Sequence, residues 1–473
     1  MADSPLITRE LREYISRFKV EEIISQGVNE VARNLPTNPY TFLAGFFAEL
    51  SEDPPLITDI RARELLLETR PTIEVSIECE SKGQRYWAPA FAFSPGIDEA
   101  SYLLDGDRWD GKGMLTAARS AESLRDILRE QDVTNQRKID SLIAKEQGLG
   151  TNISVSLSFA CAVAAAYFKK VPLYQHIFDK MTRREWEGSP LPKLMIPLLY
   201  TGKSVNSKVK FSRFFLYETR NESRAPQQQY EACKKLYDTM RRLLVAGKGG
   251  EAGLKQFQCG FIPNNDLIND CLKLCEDCVN QSGFVMGEDY LIGIDCNADD
   301  YYNRDTNKYE MEGQKNPPDV NQLTEFYLKM LNDKPNIGFL QDPFYSEDIN
   351  AYKNLQGRLV NNKRISAFRA CKTHLKVKEL MDPEQGEESK AAAFAPHLLA
   401  INYTNLVTDI VDSAKIAAKK GTSVIITENP VESLDTALVD LALGLKAEFL
   451  QLSAPIRSGL LAKYNRILEI RNH

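Results

Sequence analysis

At 473 residues, with 43% hydrophobic and 26% charged side chains, the chain can bury more than one core, which predicts two or three domains. A net charge of -6 and a pI near 5.6 give no global reason to expect nucleic acid or a membrane surface as a partner, because such binding needs clustered Lys and Arg. No apolar run is read as reaching the roughly 18 residues needed to span a bilayer. Met1-Ala2-Asp3-Ser4 opens no charged-then-apolar leader, so a cytoplasmic or cytoskeletal protein is expected.

Residues 1–55 read as a small helical module. Leu11, Tyr14, Ile15 and Phe18 mark a short amphipathic helix, and Val20, Ile23, Ile24, Gly27, Val28 and Val31 mark a second with i, i+3, i+4, i+7 spacing. Leu35-Pro36-Thr37 stops it. Asn38 then caps a third helix whose first turn accepts Pro39. That helix carries Phe42, Leu43, Phe46, Phe47 and Leu50, more apolar surface than two helices can bury between themselves, so it should pack against something else.

Residues 56–190 read as an α+β domain. Thr72–Cys79 alternates like a half-exposed strand and Tyr86–Phe93 is expected to pair with it. Helices are expected over 113–131 and over 153–168, the latter rich in Ala and Ser for close packing. From 191 to 473, strands ending near Ile294, over Asn336–Leu340, His397–Ile401, Ser423–Thr427 and Glu448–Leu452 alternate with helices. This repeat implies a closed α/β barrel with its site at the C-terminal strand ends.

Nine cysteines in so long a chain predict buried free thiols rather than disulfides. Cys271, Cys275 and Cys278 lie at i, i+4, i+7 on a helix expected over 266–280, where that spacing puts three small side chains on one buried face. His176, His374, His397 and His473 show no metal-ligand spacing.

The closing run Ser453-Ala454-Pro455-Ile456-Arg457-Ser458-Gly459-Leu460-Leu461-Ala462-Lys463-Tyr464-Asn465 resembles the end of enolase, the lyase that dehydrates 2-phosphoglycerate. So do Arg70-Pro71-Thr72-Ile73-Glu74-Val75, Asp105-Gly106-Asp107 with Gly111-Lys112-Gly113, and Val171-Pro172-Leu173-Tyr174-Gln175-His176. The resemblance covers roughly residues 60–472 and implies an enolase-like fold: an α+β domain followed by an α/β barrel. It also implies a two-fold dimer and a Mg²⁺-dependent site with lysine and carboxylate groups at the barrel mouth.

At those implied positions this chain differs. Of three metal carboxylates, Asp295 matches, while Gln341 and Ala367 stand at the other two. The lysine base aligns near Ala400 and the second lysine with Gln451. The acids aligned with Arg213 and Gln258 are gone, and Glu428-Asn429-Pro430 replaces a His-Arg-Ser run that binds substrate. Glu428 thus puts a negative charge where a phosphate should sit. A mobile-loop histidine aligns near Ser204. Ser94 in the first closing loop matches, between flanks bulkier than a hinge needs. One carboxylate out of three holds Mg²⁺ poorly, so Mg²⁺ binding is expected to be lost or weak, and no other cofactor is expected.

The segment Tyr14 to Leu50 is similar to the docking helices of protein kinase A regulatory subunits and of Dpy-30, which pair as four helices and hold an amphipathic partner helix. On that resemblance Ile23, Ile24, Val28, Val31, Phe42, Leu43 and Phe46 form the docking surface; the alternative is a cap folded onto the main body. Helical module and eroded enolase body together resemble the enolase-4 type of enolase-like protein of sperm flagella and motile cilia. This implies a catalytically inactive adaptor of the axoneme, with radial-spoke or central-apparatus partners and possible homodimers. The alternatives are an enzyme or metabolite-binding protein of altered specificity, with Gln341, Gln258, Asp295, Glu428 and Gln451 lining a polar cleft, and residual dehydration of 2-phosphoglycerate. An Arg213–Glu428 ion pair would close that cleft.

Overall fold

The computed structural model describes residues 9–50, 54–67, 70–96, 99–181, 190–219, 224–247, 250–311, 316–383 and 394–471; His473 and residues 1–8 lie outside them. Three helices open the chain: α1 (Arg9–Arg17), α2 (Val20–Asn34) and α3 (Pro39–Leu50). Asn38 caps α3 through its Oδ1, which accepts the Tyr40 N–H at 3.1 Å. Helix α2 meets α3 at Gly27, where an added Cβ would stand 3.0 Å from the Phe46 ring and 3.2 Å from Leu43. Phe42, Leu43 and Phe46 are part-buried, as are Ile23 and Val31, whereas Ile24 and Val28 are about half exposed.

The second domain is built on an antiparallel sheet of β1 (Leu56–Leu66), β2 (Pro71–Ser81), β3 (Gln84–Trp87) and β4 (Phe91–Ala92), with β2 at its centre. The single strand expected over Tyr86–Phe93 is interrupted around Pro89, which has no N–H for the ladder, so β3 and β4 pair with β2 separately. The helix expected over 113–131 is likewise broken, into Leu115–Ser123 and Arg125–Leu128.

Helix Thr151–Phe168 corrects the reading of apolar runs: by length and composition it could cross a membrane. Here it is the core helix of the domain. Phe159 stacks on Phe91 with ring centroids 4.9 Å apart, and its Ala and Ser residues are buried almost all round. A helix apolar on every face suits a protein interior as well as a bilayer.

Eight strands close the barrel: β5 (Lys193–Tyr200), β6 (Arg213–Glu218), β9 (Tyr290–Asp295), β10 (Ile337–Gln341), β11 (Arg364–Ala367), β12 (Leu398–Asn402), β13 (Ser423–Thr427) and β14 (Phe449–Gln451), which pairs back onto β5. A hairpin of β7 (Lys255–Phe257) and β8 (Gly260–Ile262) hooks onto β5. All barrel pairings are parallel except those of β6, which runs antiparallel to both neighbours. Reversal matters for the site, because it brings the first residue of β6 to the end where the other strands finish.

Below the mouth the barrel is filled by Met195, Phe215, Tyr217, Phe339, Leu398, Ala400, Ile425 and Phe449. Filling this tightly needs Gly338, where a Cβ would stand 1.7 Å from the Tyr217 hydroxyl, and Gly293, where it would stand 2.3 Å from Phe339. All nine cysteines are buried and none is in a disulfide, and Cys271, Cys275 and Cys278 share the inner face of helix Ile268–Gln281.

Candidate active site

Asp295 ends β9 and Arg213 begins β6, and the two stand in register across the antiparallel ladder. Arg213 Nε and Nη2 both donate to Asp295 Oδ2, at 2.9 and 2.7 Å. The carboxylate side chain is only 5% exposed and the guanidinium side chain 20%. Arg213 also lies over the Phe215 ring, 5.2 Å from its centroid. A fixed cation therefore occupies one oxygen of this carboxylate.

Round the barrel, Gln341 stands in register with Asp295, and Ser366 with Gln341. Residues in register on neighbouring strands share a face, so the three form an inward row. Asp295 Oδ1, Gln341 Oε1 and Ser366 Oγ are all buried without a hydrogen-bond partner. Ala367, expected at the third ligand position, alternates to the opposite face; Ser366 and Phe368, which packs on the inner barrel cluster, take the inward places. A one-residue offset moves a strand side chain to the other face, so Ala367 itself does not stand in the row.

Asp342, the next residue after Gln341, has φ 44 and is fully enclosed. Its Oδ1 accepts the N–H groups of Phe368 and Arg369 at 2.8 and 3.0 Å, tying β10 to the turn after β11. Burial, together with the nearby charge of Asp295, pushes this carboxyl up. Arg369 itself is exposed and does not enter the row.

On β12, next to the row, Ala400 belongs to the inner cluster, and on the opposite wall Gln451 stands two residues beyond Phe449 on the same face. Gln451 is completely buried and neither end of its amide has a partner.

Glu428 follows β13. Its Oε2 accepts the Ser453 N–H at 2.8 Å and its Oε1 accepts the Ser453 hydroxyl. Burial raises its pKa to about 7 in spite of those bonds. Glu428 is thus held by Ser453 and Arg213 by Asp295, and the Arg213–Glu428 ion pair weighed from the sequence does not form. Gln258, at the β7–β8 turn with φ 50, lines a small cleft with Glu428, Asn429, Ser453 and Arg457. Ser204 is exposed in the turn Lys203–Val205 and takes no part in the row.

Ser94 is fully buried and stapled to the loop after β13. Asn429 Nδ2 donates to Ser94 O at 2.6 Å, the Ser433 N–H donates to Ser94 Oγ at 2.9 Å, and the Ser94 hydroxyl lies 3.0 Å from Ser433 Oγ. Beneath them Lys463 Nζ contacts Glu432 Oε2 at 2.8 Å and donates to Ser433 O at 2.7 Å, with both side chains sealed from solvent. Tyr403 and the Asn429 N–H also donate to Glu432. Sequence reasoning singled out Ser94 and Asn429 but missed Tyr403, Glu432 and Ser433. A lysine on an otherwise apolar face of the last helix was the available signal.

An α+β domain joined to an eight-stranded barrel with one reversed strand, and a polar mouth facing the joint, defines the enolase-type barrel class. Residues 57–177 match the family model "Enolase, N-terminal domain", and residues 189–473 match "Enolase, C-terminal TIM barrel domain". The chain belongs to the enolase family. Similar proteins include the enolases of Methanococcus aeolicus (27% identical, covering 88% of this chain and 94% of that one) and of Lactobacillus delbrueckii subsp. bulgaricus (28%, 88% and 95%). The enolase of Methanosarcina mazei is 27% identical, with 88% and 94% covered.

Proposed function

We propose that this enolase-family chain does not dehydrate 2-phosphoglycerate and serves as a structural or adaptor subunit. The observation that carries the reading is the guanidinium of Arg213 seated on Asp295. Mg²⁺ needs several hard, negatively charged oxygens. Asp295, Gln341 and Ser366 supply one carboxylate, an amide and a hydroxyl, and the carboxylate already holds a cation. These residues do not fit the ion. Proton abstraction next to a carboxylate also needs a base, and the methyl of Ala400 and the amide of Gln451 cannot serve as one.

An adaptor role draws its support from the three N-terminal helices, where Tyr14, Ile24, Val28 and Phe47 remain substantially exposed. Docking of an amphipathic partner helix there, within the axoneme of a cilium or flagellum and with radial-spoke or central-apparatus components, follows from the resemblance of residues 14–50. Turnover of 2-phosphoglycerate in saturating Mg²⁺, beside an enolase such as that of Methanosarcina mazei, is the test. Turnover comparable to the control would overturn the reading and leave the chain an ordinary hydratase; no turnover above buffer supports it.

A further inference from the structure

A cleft of about 560 Å³ lies between the domains, where helices Gln136–Lys145 and Leu173–Met181 of the α+β domain meet helix Val407–Lys419 of the barrel. It shares no residue with the barrel mouth, and its size falls within the roughly 300–1,000 Å³ that small organic ligands occupy. Arg137, Lys180 and Lys415 stand on its walls against a single lining carboxylate, that of Asp179. In a chain whose net charge is -6, that surplus of cations is local.

The three cations are not equally engaged. Arg137 gives both Nη atoms to Asp412, at 2.9 and 2.8 Å, and Lys415 stands 3.6 Å from the same carboxylate. Lys180 has no carboxylate partner among the described residues. Its Nζ donates to Thr134 O at 2.9 Å, which leaves two N–H groups of the ammonium for another acceptor. Burial, followed by the charge of Lys169, holds that ammonium below its usual range, and Asp132 and Asp179 offset only part of the effect. Helix N–H groups do not compete for an anion here: Asn135 Oδ1 accepts the Lys138 N–H at 3.3 Å, Ser158 Oγ the Val407 N–H at 2.9 Å, and Asp140 Oδ2 the Thr408 N–H at 2.9 Å. Side chains must therefore hold it. Beside them, part-buried Met181 and the nearly enclosed Val407 and Val411 give the cleft an apolar lining. An ammonium short of counter-charge next to an apolar surface selects an anion with a hydrocarbon body over a fully hydrated inorganic one.

We propose that this interdomain cleft binds a small organic carboxylate, its anionic head on Lys180 with Lys415 beside it and its hydrocarbon body against Met181. The site is independent of the barrel mouth, so turnover of 2-phosphoglycerate, or its absence, has no bearing on it.

Ligand-observed NMR titrations of the full-length protein measure it, with 4-phenylbutyrate, its uncharged counterpart 4-phenylbutanol and inorganic phosphate as probes. The carboxylate is expected to bind at least fivefold more tightly than either of the others, and at least fivefold more weakly to Lys180→Met than to the wild type. Lys419→Met should match the wild type, because that exposed lysine pairs with Asp382 at the C-terminal end of helix Val407–Lys419. Circular dichroism checks that the variants are folded. Should Lys180→Met fail to fold, the methyl resonances of the wild type give the answer, since the Met181 methyl must shift on addition of 4-phenylbutyrate. No binding of the carboxylate, equal affinity for the alcohol, tighter binding of phosphate, undiminished binding in Lys180→Met, or methyl shifts that spare Met181 would each overturn the proposal.

Discussion

Arg213 and Asp295 face each other across the antiparallel β6–β9 pair, with two guanidinium N–H groups on a single carboxylate oxygen. Removing one partner of such a pair strands the other charge in a nearly dry site. Arg213→Met should cost about 3 kcal/mol in urea unfolding, whereas Arg213→Met combined with Asp295→Leu should recover most of that loss.

Gln451 is buried with both amide ends unsatisfied. In the absence of any added small molecule, Gln451→Met should therefore stabilise the protein by about 1 kcal/mol, read as a raised thermal midpoint. A fall in the midpoint would mean that the amide is fully bonded in solution.

Glu428 carries a pKa raised from 4.5 to about 7, chiefly by burial. Between those two values the folded protein keeps a proton that the unfolded chain has lost, so stability falls as pH rises through this window. Glu428→Gln cannot ionise, and its unfolding free energy should decline less between pH 5 and pH 8 than that of the wild type. Asp435, also raised to about 7 by burial, acts in the same direction and is unchanged in the variant. The slope should therefore be reduced, not abolished.

His176 is sealed in the interior with neither ring nitrogen partnered, and burial, followed by Lys180 and Lys169, lowers its pKa to about 3. Here the unfolded chain takes up the proton first, so stability is present above about 6.5 and is lost as pH falls toward 3. His176→Leu should flatten the acid limb of the stability profile between pH 6.5 and pH 4.

Lys463 and Glu432 form an enclosed ion pair that supports the loop pinning Ser94. Lys463→Met leaves Glu432 uncompensated and should cost about 3 kcal/mol. Hydrogen exchange should quicken locally over residues 91–96 and 429–435, well ahead of the sheet strands on either side.

Much of the barrel is legible in the sequence because buried parallel strands such as Ser423–Thr427 read as short apolar runs between helices. Strands β5, β6 and β11 escaped notice. Met195 to Tyr200 continues an apolar stretch with no turn signal, and Arg213 and Arg364 put charges at the first positions of their strands. At the mouth, Asp295, Gln341 and Gln451 could be placed from flanking anchors, whereas Ala367 was displaced because no anchor fixes alternation in so short a strand. The partnership of Arg213 was not readable from the sequence at all. It depends on the reversal of β6, a property of topology and not of any local pattern.

Ser94 joins the two domains directly above the mouth, and none of its bonds reaches out to solvent. A loop that must swing to admit a molecule sets the rate of entry by its own motion. Here the gate is a seam. Traffic through it would be timed by local unfastening of Asn429 and Ser433, so the arrival rate of any occupant should level off at high concentration, and departure should be slow whatever the affinity.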